Sequence, residues 1–256
     1  MITKSIVKIE QINEIALDTI EMKLKTPISL EEVNPGQFIH VRIGSDHAHQ
    51  LRRPISIADL DKVNQIMTIV FKIVGSGTEI LARAKVGEEL DVLLPCGTGY
   101  PIDKLEVPKA LLIGGGIGVP PLYYLAKQLV EKGTEVTAIL GFQAKEHVFY
   151  EEKFKALGNC HVVTNDGSYG HQGFVTDVID IESPEFDYFF SCGPTPMLRA
   201  VSTKLENSNG YISLEERMGC GVGTCFACVI PVPGSATDYK KICSDGPVFE
   251  ASEVAL

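Results

Sequence analysis

Four of the seven cysteines of this 256-residue chain lie within its last 37 residues. They begin with the run Cys220-Gly-Val-Gly-Thr-Cys225-Phe-Ala-Cys228, and Cys243 follows after fourteen more residues. The C-x4-C-x2-C spacing with a distant fourth cysteine is typical of plant-type [2Fe–2S] ligation. The two glycines of the loop let the backbone turn tightly and direct N–H groups at the sulfurs. The spacing therefore predicts a [2Fe–2S] cluster on Cys220, Cys225, Cys228 and Cys243.

The alternative occupant of these four thiols is a structural zinc ion, which also accepts four cysteines. Zinc ribbons more often use paired C-x2-C knuckles, and this chain has one such pair. The spacing therefore favours iron and sulfide but leaves zinc open.

Composition and charge exclude several classes of partner. The formal net charge is −10 and the pI about 5.1, which argues against a nucleic-acid binder or an anionic-membrane binder. The N-terminus, Met1 to Leu17, has no apolar signal-peptide core. The stretch from Ala110 to Ala126 is apolar, but glycines and prolines interrupt it, so it does not predict a membrane span. An odd cysteine count argues against a disulfide framework, and we expect a cytoplasmic protein.

The rhythm of the sequence changes near residue 100. Short alternating segments up to Tyr100, with one helix-like insert from Thr78 to Lys85, predict a small antiparallel β-barrel. From Lys109 buried strands alternate with helices, including one from Pro120 to Glu131, and this predicts a doubly wound parallel α/β sheet. We expect a barrel domain over 1–101, an α/β domain over 102–213 and a small C-terminal lobe over 214–256, the lobe held by its metal centre rather than by apolar burial.

The barrel segment contains the run Arg52-Arg53-Pro54-Ile55-Ser56-Ile57. An arginine can neutralise a cofactor pyrophosphate, and a nearby serine can hydrogen-bond the edge of a flavin ring. The turn Gly75-Ser76-Gly77-Thr78 follows about twenty residues later and opens a helix whose N–H groups suit a phosphate. Each run alone also fits plain structure, and together they indicate a flavin site.

Two further motifs follow strands of the α/β segment. Gly114 to Pro121 is a glycine loop leading into a helix, although it lacks the last glycine of the dinucleotide fingerprint. Cys192-Gly193-Pro194 stands at the end of a later strand, the edge where open α/β sheets bind ligands. The alternatives are a tight turn without ligand for the loop and a buried small hydrophobe for Cys192. Asp166-Gly167-Ser168 is read as a simple turn.

The six histidines show no ligand spacing with a carboxylate or cysteine partner. We expect them to be surface or hydrogen-bonded residues: His40, His47, His49, His147, His161 and His171.

In its order of motifs the chain resembles the ferredoxin–NADP reductase superfamily. Within it the chain is similar to the electron-transfer subunits of class 1B dihydroorotate dehydrogenases, on the motifs above and on Glu215-Glu216-Arg217-Met218-Gly219-Cys220-Gly221. The resemblance covers nearly the whole chain. Ile55 stands where the superfamily has a flavin-stacking tyrosine.

The resemblance implies three cofactors: FAD, NAD and the [2Fe–2S] cluster. It places FAD on Arg53, Pro54, Ile55, Ser56, Val70, Phe71, Lys72, Gly77 and Thr78. It places the nicotinamide nucleotide near Gly115, Gly116, Cys192 and Gly193. No side chain is expected to act as a catalytic acid or base, because the cofactors supply the chemistry.

The implied partner is an FMN-containing catalytic subunit that oxidises dihydroorotate to orotate, in a heterotetramer with two copies of each subunit. An apolar rim around Phe226 is the expected docking face. Two alternatives stay open: an NADH-linked subunit of another complex, of the ferredoxin–NADP oxidoreductase, sulfite reductase or hydrogenase type, and a zinc-stabilised nucleotide-binding regulator without redox activity.

Overall fold

A computed structural model describes residues 2–44 and 49–256. Six antiparallel strands close into a barrel in the order β1-β2-β5-β4-β3-β6. Their bounds are Thr3–Ala16 (β1), Thr19–Lys25 (β2), Phe38–Val41 (β3), Arg53–Asp61 (β4), Ile66–Lys72 (β5) and Glu89–Cys96 (β6). The predicted helical insert is the short helix Ser76–Ala82 (α1). Alternate strand residues such as Ile39, Val41 and Ile57 fill the barrel interior, so the predicted barrel is confirmed.

The second layer is a seven-stranded sheet in the order β10-β9-β8-β7-β11-β12-β15. Its strands are Lys109–Gly115 (β7), Glu135–Phe142 (β8), Asn159–Thr164 (β9), His171–Gln172 (β10), Tyr188–Cys192 (β11), Gly210–Ser213 (β12) and Val248–Glu250 (β15). All neighbours are parallel except β12 and β15, which confirms the doubly wound prediction.

Helices cover both faces of this sheet. They are Val119–Glu131 (α2), Glu151–Lys155 (α3), Val175–Glu182 (α4) and Thr195–Lys204 (α5). Successive side chains of β7 point to opposite faces of the sheet and so contribute to the hydrophobic core on each face. Ala110 and Leu112 pack with α2, whereas Leu111 and Ile113 pack with α4 and α5. The switch in strand order falls between β7 and β11, so their carboxyl ends open a crevice there.

The C-terminal lobe contains a hairpin of Val229–Pro231 (β13) and Tyr239–Lys241 (β14), followed by β15. The expectation that a metal centre rather than apolar burial holds this lobe is wrong. Met218, Ile230, Ile242 and Phe249 are buried in one cluster with α4, α5 and the adjacent sheet face. The lobe therefore shares the core of the α/β layer, and the domain boundaries stay a prediction.

Polar contacts join the barrel to the α/β layer. The Tyr124 hydroxyl on α2 donates to the Val33 carbonyl at 2.9 Å, and Lys127 Nζ lies 2.6 Å from Asp59 Oδ1. No helix in the described ranges is both long and apolar enough to cross a membrane.

Candidate cofactor sites

The arginine-proline-serine motif lies on β4, with its side chains divided between two faces. Arg53, Pro54 and Ser56 are partly exposed. The Ile55 side chain is only 6% exposed and belongs to the barrel core. Its side chain is therefore directed away from a flavin on the barrel surface, which leaves its backbone as the group that can make contact.

The guanidinium of Arg53 lies directly against Gly77 at the start of α1. A Cβ added to Gly77 would stand 2.6 Å from Arg53 Nη2, so a larger residue would displace the arginine. The Thr78 hydroxyl accepts a hydrogen bond from the Val74 N–H at 2.9 Å and donates to the Gly75 carbonyl at 3.0 Å. Arginine and turn, about twenty residues apart in sequence, thus form one cationic corner at the start of a helix, where the first N–H groups have no partner within the helix itself.

The three predicted flavin residues on β5 have different environments. Phe71 is buried in the barrel core, and Val70 is buried towards α2. Lys72 is partly exposed and lines a cleft between the barrel and the α/β layer.

This cleft has a volume of about 650 Å³ and opens at the switch point of the sheet. That volume is in the range of small-molecule sites, and its walls are mostly apolar. The predicted nucleotide residues Gly115 and Gly116 lie on its wall. Sequence reasoning missed further lining side chains: His147, Phe149, Phe174, Met197 and Glu215.

Close packing against backbone and side chains explains the glycines beside the cleft. A Cβ on Gly118 would stand 2.3 Å from the Cys192 carbonyl oxygen, and one on Gly115 would stand 2.5 Å from Met197 Sδ. The glycine loop and the Cys-Gly-Pro turn therefore touch, as adjacent carboxyl ends of β7 and β11 require. Gly193 lies behind Met197, where an added Cβ would approach the Met197 methyl group to 2.7 Å.

The thiol of Cys192 is fully buried in the core between the sheet and α2. Burial first, and then the nearby Glu215 carboxylate, raise the pKa of Cys192 well above the ordinary thiol value. The thiol is therefore protonated at neutral pH and does not face the cleft. Its proposed contact with a nucleotide stays a prediction.

Glu215 follows β12 at the same edge of the sheet. Its carboxylate lines the cleft, where partial loss of hydration raises its pKa, although solvent reaches it through the cleft mouth. The rule that parallel strands present ligand-binding groups at their carboxyl ends could have identified it.

The four C-terminal cysteines lie around one tight loop. Gly221 and Gly223 have φ values of 70° and 79°, conformations that favour glycine. The Gly223 N–H donates to Cys243 Sγ at 3.2 Å, and the Cys225 N–H donates to Cys220 Sγ at 3.4 Å. The loop thus directs N–H groups at two of the sulfurs.

The thiols of the loop differ in their readiness to ionise. Burial would raise the pKa of Cys220, but N–H donors, first of all Val222, outweigh it and lower the pKa to about 6. Burial first, and then the adjacent Cys228, raise the pKa of Cys243 to about 12. Neighbouring thiolates repel each other, and cationic iron relieves that repulsion, so the donor set fits a metal cluster.

The positions of the sulfurs agree with a two-iron cluster. Among the described residues no three of these sulfurs lie within 4.8 Å of one another. In a [2Fe–2S] cluster each iron takes two of the four cysteines, so three sulfurs need not meet at one ion.

His40 differs from the other described histidines in its burial. Its ring is fully buried and makes no hydrogen bond of regular geometry to the described residues, although backbone groups of Arg52 and Cys220 lie close enough to act on it. Burial first, and then the charge of Arg52, lower the pKa of His40 to about 4, so the ring is neutral at pH 7. It pairs across strands with Pro54 and contacts Gly221, which joins the flavin motif to the cysteine loop. His47 lies outside the described residues.

Phe226 projects from the cysteine loop with 73% of its side chain exposed. Lys241 Nζ lies 4.5 Å from its ring centre and donates to the Gly223 carbonyl at 2.7 Å. Val222, also on the loop, is 40% exposed. The loop therefore presents apolar surface directly above the sulfurs.

The structure combines a barrel packed on a doubly wound sheet, a cleft at the switch point of that sheet and a cysteine lobe on the barrel. This combination defines an iron–sulfur flavoprotein reductase of the ferredoxin–NADP reductase type. Family models match at residues 112–203 (oxidoreductase NAD-binding domain) and 215–255 (iron-sulfur cluster binding domain of dihydroorotate dehydrogenase B). The chain belongs to the family of the dihydroorotate dehydrogenase B (NAD(+)) electron transfer subunits.

Curated relatives carry that family name. The protein of Shouchella clausii is 52% identical over 245 residues, which cover 95% of each chain. The protein of Lysinibacillus sphaericus is 47% identical over 258 residues and all of both chains. The chain is accordingly an electron-transfer component of an NAD-dependent oxidoreductase, with FAD and a [2Fe–2S] cluster as its cofactors.

Solved structures agree on the architecture. One match is a chain from the structure of the NADH-dependent reduced ferredoxin-NADP oxidoreductase, which was studied for flavin-based electron bifurcation. Its TM-score is 0.87 and its sequence identity to this chain is 32%. The match covers 97% of this chain and 89% of the other. The ferredoxin reductase in carbazole 1,9a-dioxygenase matches with a TM-score of 0.68 and 21% identity, over 81% of this chain and 66% of that one, and shows the shared fold.

Proposed function

We propose that this chain passes electrons between NAD(H) and an FMN-containing catalytic subunit that oxidises dihydroorotate to orotate in pyrimidine biosynthesis. The observation that carries the proposal is the contact of the cysteine loop with the flavin strand through His40. A regulator that merely bound nucleotide and zinc would have no need of that contact.

The FAD residues are Arg53 to Ser56, Val70 to Lys72, Gly77 and Thr78. Arg53 and the N–H groups at the start of α1 neutralise the pyrophosphate, which the contact of Arg53 with Gly77 supports. Lys72 stands at the boundary between this corner and the cleft, where flavin and nicotinamide must meet.

The nicotinamide nucleotide occupies the cleft, with its phosphates against Gly115 and Gly116. The Cys192-Gly193 turn supports this wall from behind through its contact with Gly118. Glu215, at the edge of the cleft, orients the nicotinamide end through hydrogen bonds.

The cluster ligands are Cys220, Cys225, Cys228 and Cys243. When bound, FAD exchanges a hydride with NAD(H) and single electrons with the cluster. The chain itself fixes the distance between the two sites, since His40 pairs with Pro54 and fills the space up to Gly221.

The partner docks on the apolar rim around Phe226, in a heterotetramer with two copies of each subunit. Phe226 is the most exposed large apolar side chain of the lobe. None of the seven cysteines forms a disulfide bond, which suits a reducing cytoplasm.

The test is co-expression with candidate catalytic subunits, followed by an anaerobic visible spectrum and iron, sulfide and flavin analysis. We expect FAD and two iron atoms per chain, bleaching by NADH, and a co-purifying FMN subunit of barrel size. A colourless sample with zinc and no iron would refute the redox function. An iron–sulfur flavoprotein that prefers a different, FMN-free partner would refute the dihydroorotate assignment alone and favour a ferredoxin–NADP oxidoreductase type of complex.

A further inference from the structure

Two histidines and a glutamate converge at the outer edge of the seven-stranded sheet, on strands remote from the cysteine loop. His161 lies on β9, His171 on the edge strand β10, and Glu182 at the end of α4. Glu182 Oε1 is 3.4 Å from His161 Nδ1 and 3.3 Å from His171 Nε2. The three ligand atoms all lie within 4.8 Å of one another. These contacts agree with the expectation of surface or hydrogen-bonded histidines, although no spacing in the sequence indicated that the three residues meet.

We propose that His161, His171 and Glu182 form a binding site for one divalent transition-metal ion of the zinc class. Imidazole nitrogen and carboxylate oxygen are ligands that zinc prefers, and three protein ligands with a solvent-filled fourth position are a common zinc arrangement. The side chains are 26%, 32% and 31% exposed, so an ion can enter while part of the site stays shielded.

The distances fit the ion without rearrangement of the backbone. Tetrahedral bonds of about 2.0–2.1 Å place neighbouring ligand atoms about 3.3 Å apart. Both contacts of Glu182 Oε1 already have this length. The two imidazole nitrogens need only close on each other from within 4.8 Å, a shift that side-chain rotation supplies.

The fold gives the site a structural consequence. Strand β10 is held to β9 by two residue pairs, His171 with Val163 and Gln172 with Thr164. The segment between the two histidines passes the cleft at Asn165, and Gly173 and Phe174 line the cleft as the chain enters α4. A bound ion would fasten β9, β10 and the end of α4 together and so stiffen this wall of the nucleotide cleft.

The test uses the complete protein with FAD and the iron–sulfur cluster in place. After removal of loose metal with a chelator, it is dialysed against Zn²⁺, and bound zinc is counted while iron content and the visible spectrum monitor the cluster. We expect one zinc per chain. Glu182→Gln keeps the shape of the side chain and His171→Ala removes a ligand; each should weaken zinc binding at least about tenfold.

Asp180→Asn is the matched control, because Asp180 is on the same helix but pairs with Lys204 at 2.6 Å. It should bind zinc like the unaltered protein. Hydrogen exchange supplies a second measurement: zinc should slow exchange over 171–182 in the unaltered protein and not in Glu182→Gln. Equal zinc binding by the unaltered protein and by a His161→Ala/His171→Ala variant would overturn the proposal, as would the lack of any bound zinc.

Discussion

The ring of His40 and the backbone of Gly221 are in direct contact, at the junction of the barrel and the cysteine loop. A Cβ on Gly221 would stand 2.2 Å from His40 Nδ1, and the φ of 70° at Gly221 also favours glycine. Because the ring is fully buried, it has no space into which to withdraw. The packing of these two residues therefore sets how closely the loop approaches β4, with which His40 pairs at Pro54.

Gly221→Ala should therefore impair the cysteine loop. The left-handed backbone costs about 1–2 kcal/mol for a residue with a Cβ, and overpacking against His40 adds about 1–3 kcal/mol. We expect iron and sulfide content to fall by more than half while FAD stays bound. Gly234→Ala is the control: its φ is 75°, but no atom lies within 4 Å of the added Cβ. Full iron content in both variants would contradict the packing argument.

Cys225→Ser should separate the two halves of the electron path. Reduction of FAD by NADH depends on the barrel and the cleft, so its rate should stay within about twofold of the unaltered rate, whereas delivery to the catalytic subunit should fall more than about tenfold. Stopped-flow absorbance measures both steps. Cys160→Ser, on β9 away from the loop, should leave both intact. Undiminished delivery by Cys225→Ser would refute the relay.

Phe226→Glu should weaken docking of the catalytic subunit. Truncation of a central aromatic residue costs about 2 kcal/mol or more at an interface, which is about thirtyfold in affinity, and a charge adds a desolvation cost. Gel filtration of the co-expressed subunits and a titration measure the loss. Val63→Glu places the same charge on a 93% exposed side chain of the barrel and should have no effect. If both variants bound the catalytic subunit with equal affinity, Phe226 would not be part of the interface.

Gly118→Ala should damage the nucleotide cleft. Its Cβ would meet the Cys192 carbonyl at 2.3 Å, and because that partner is backbone, the turn after β7 and the end of β11 must separate. We expect the KM for NADH to rise at least about tenfold, as misplacement of a bound substrate by about 1 Å predicts. Gly133→Ala changes a glycine with open space around it and should leave KM unchanged. Steady-state kinetics with an artificial electron acceptor measures both.

Glu21 should make stability depend on pH. Burial would raise its pKa, but hydrogen bonds from Tyr150 and Lys153 outweigh burial and lower it below the usual 4.5. Since the unfolded chain then binds the proton more readily, the stabilisation is complete above about pH 4.5 and is lost as pH falls through the native pKa. Glu21→Gln should cost about 1–3 kcal/mol at pH 7.

Urea unfolding followed by circular dichroism gives the free energies for this comparison. The gap between Glu21→Gln and the unaltered protein should narrow below pH 4.5. Glu14→Gln, an exposed carboxylate on β1, should show neither effect. A gap that stays constant down to pH 3 would contradict the role of the Glu21 charge.

Features encoded by local spacing could be predicted from the sequence. The cysteine loop, the glycine loop and the helix from Pro120 to Glu131 depend on residues close together in the chain, and the observed helix begins one residue earlier. The carboxyl-end rule then placed the glycine loop and the Cys-Gly-Pro turn at one edge of the sheet.

Contacts between distant residues could not be predicted in this way. Tyr150 reaches Glu21 across 129 positions, and His40 meets Gly221 only when the lobe docks on the barrel. His161, His171 and Glu182 have no motif spacing, since strand register and helix packing bring them together. Strand β15 has three residues, too few for alternation to reveal it.

The short strand β15 also determines when the seven-stranded sheet can be completed during synthesis. Tyr211 to Ser213 of β12 pair with Val248 to Glu250, so the entire cysteine segment is synthesised between the two halves of the pairing. Until Val248 to Glu250 have been synthesised, β12 has an open edge that is free to pair wrongly. The pairing of β12 with β15 therefore encloses the cysteine segment, and a chain in which this pairing fails exposes an aggregation-prone edge.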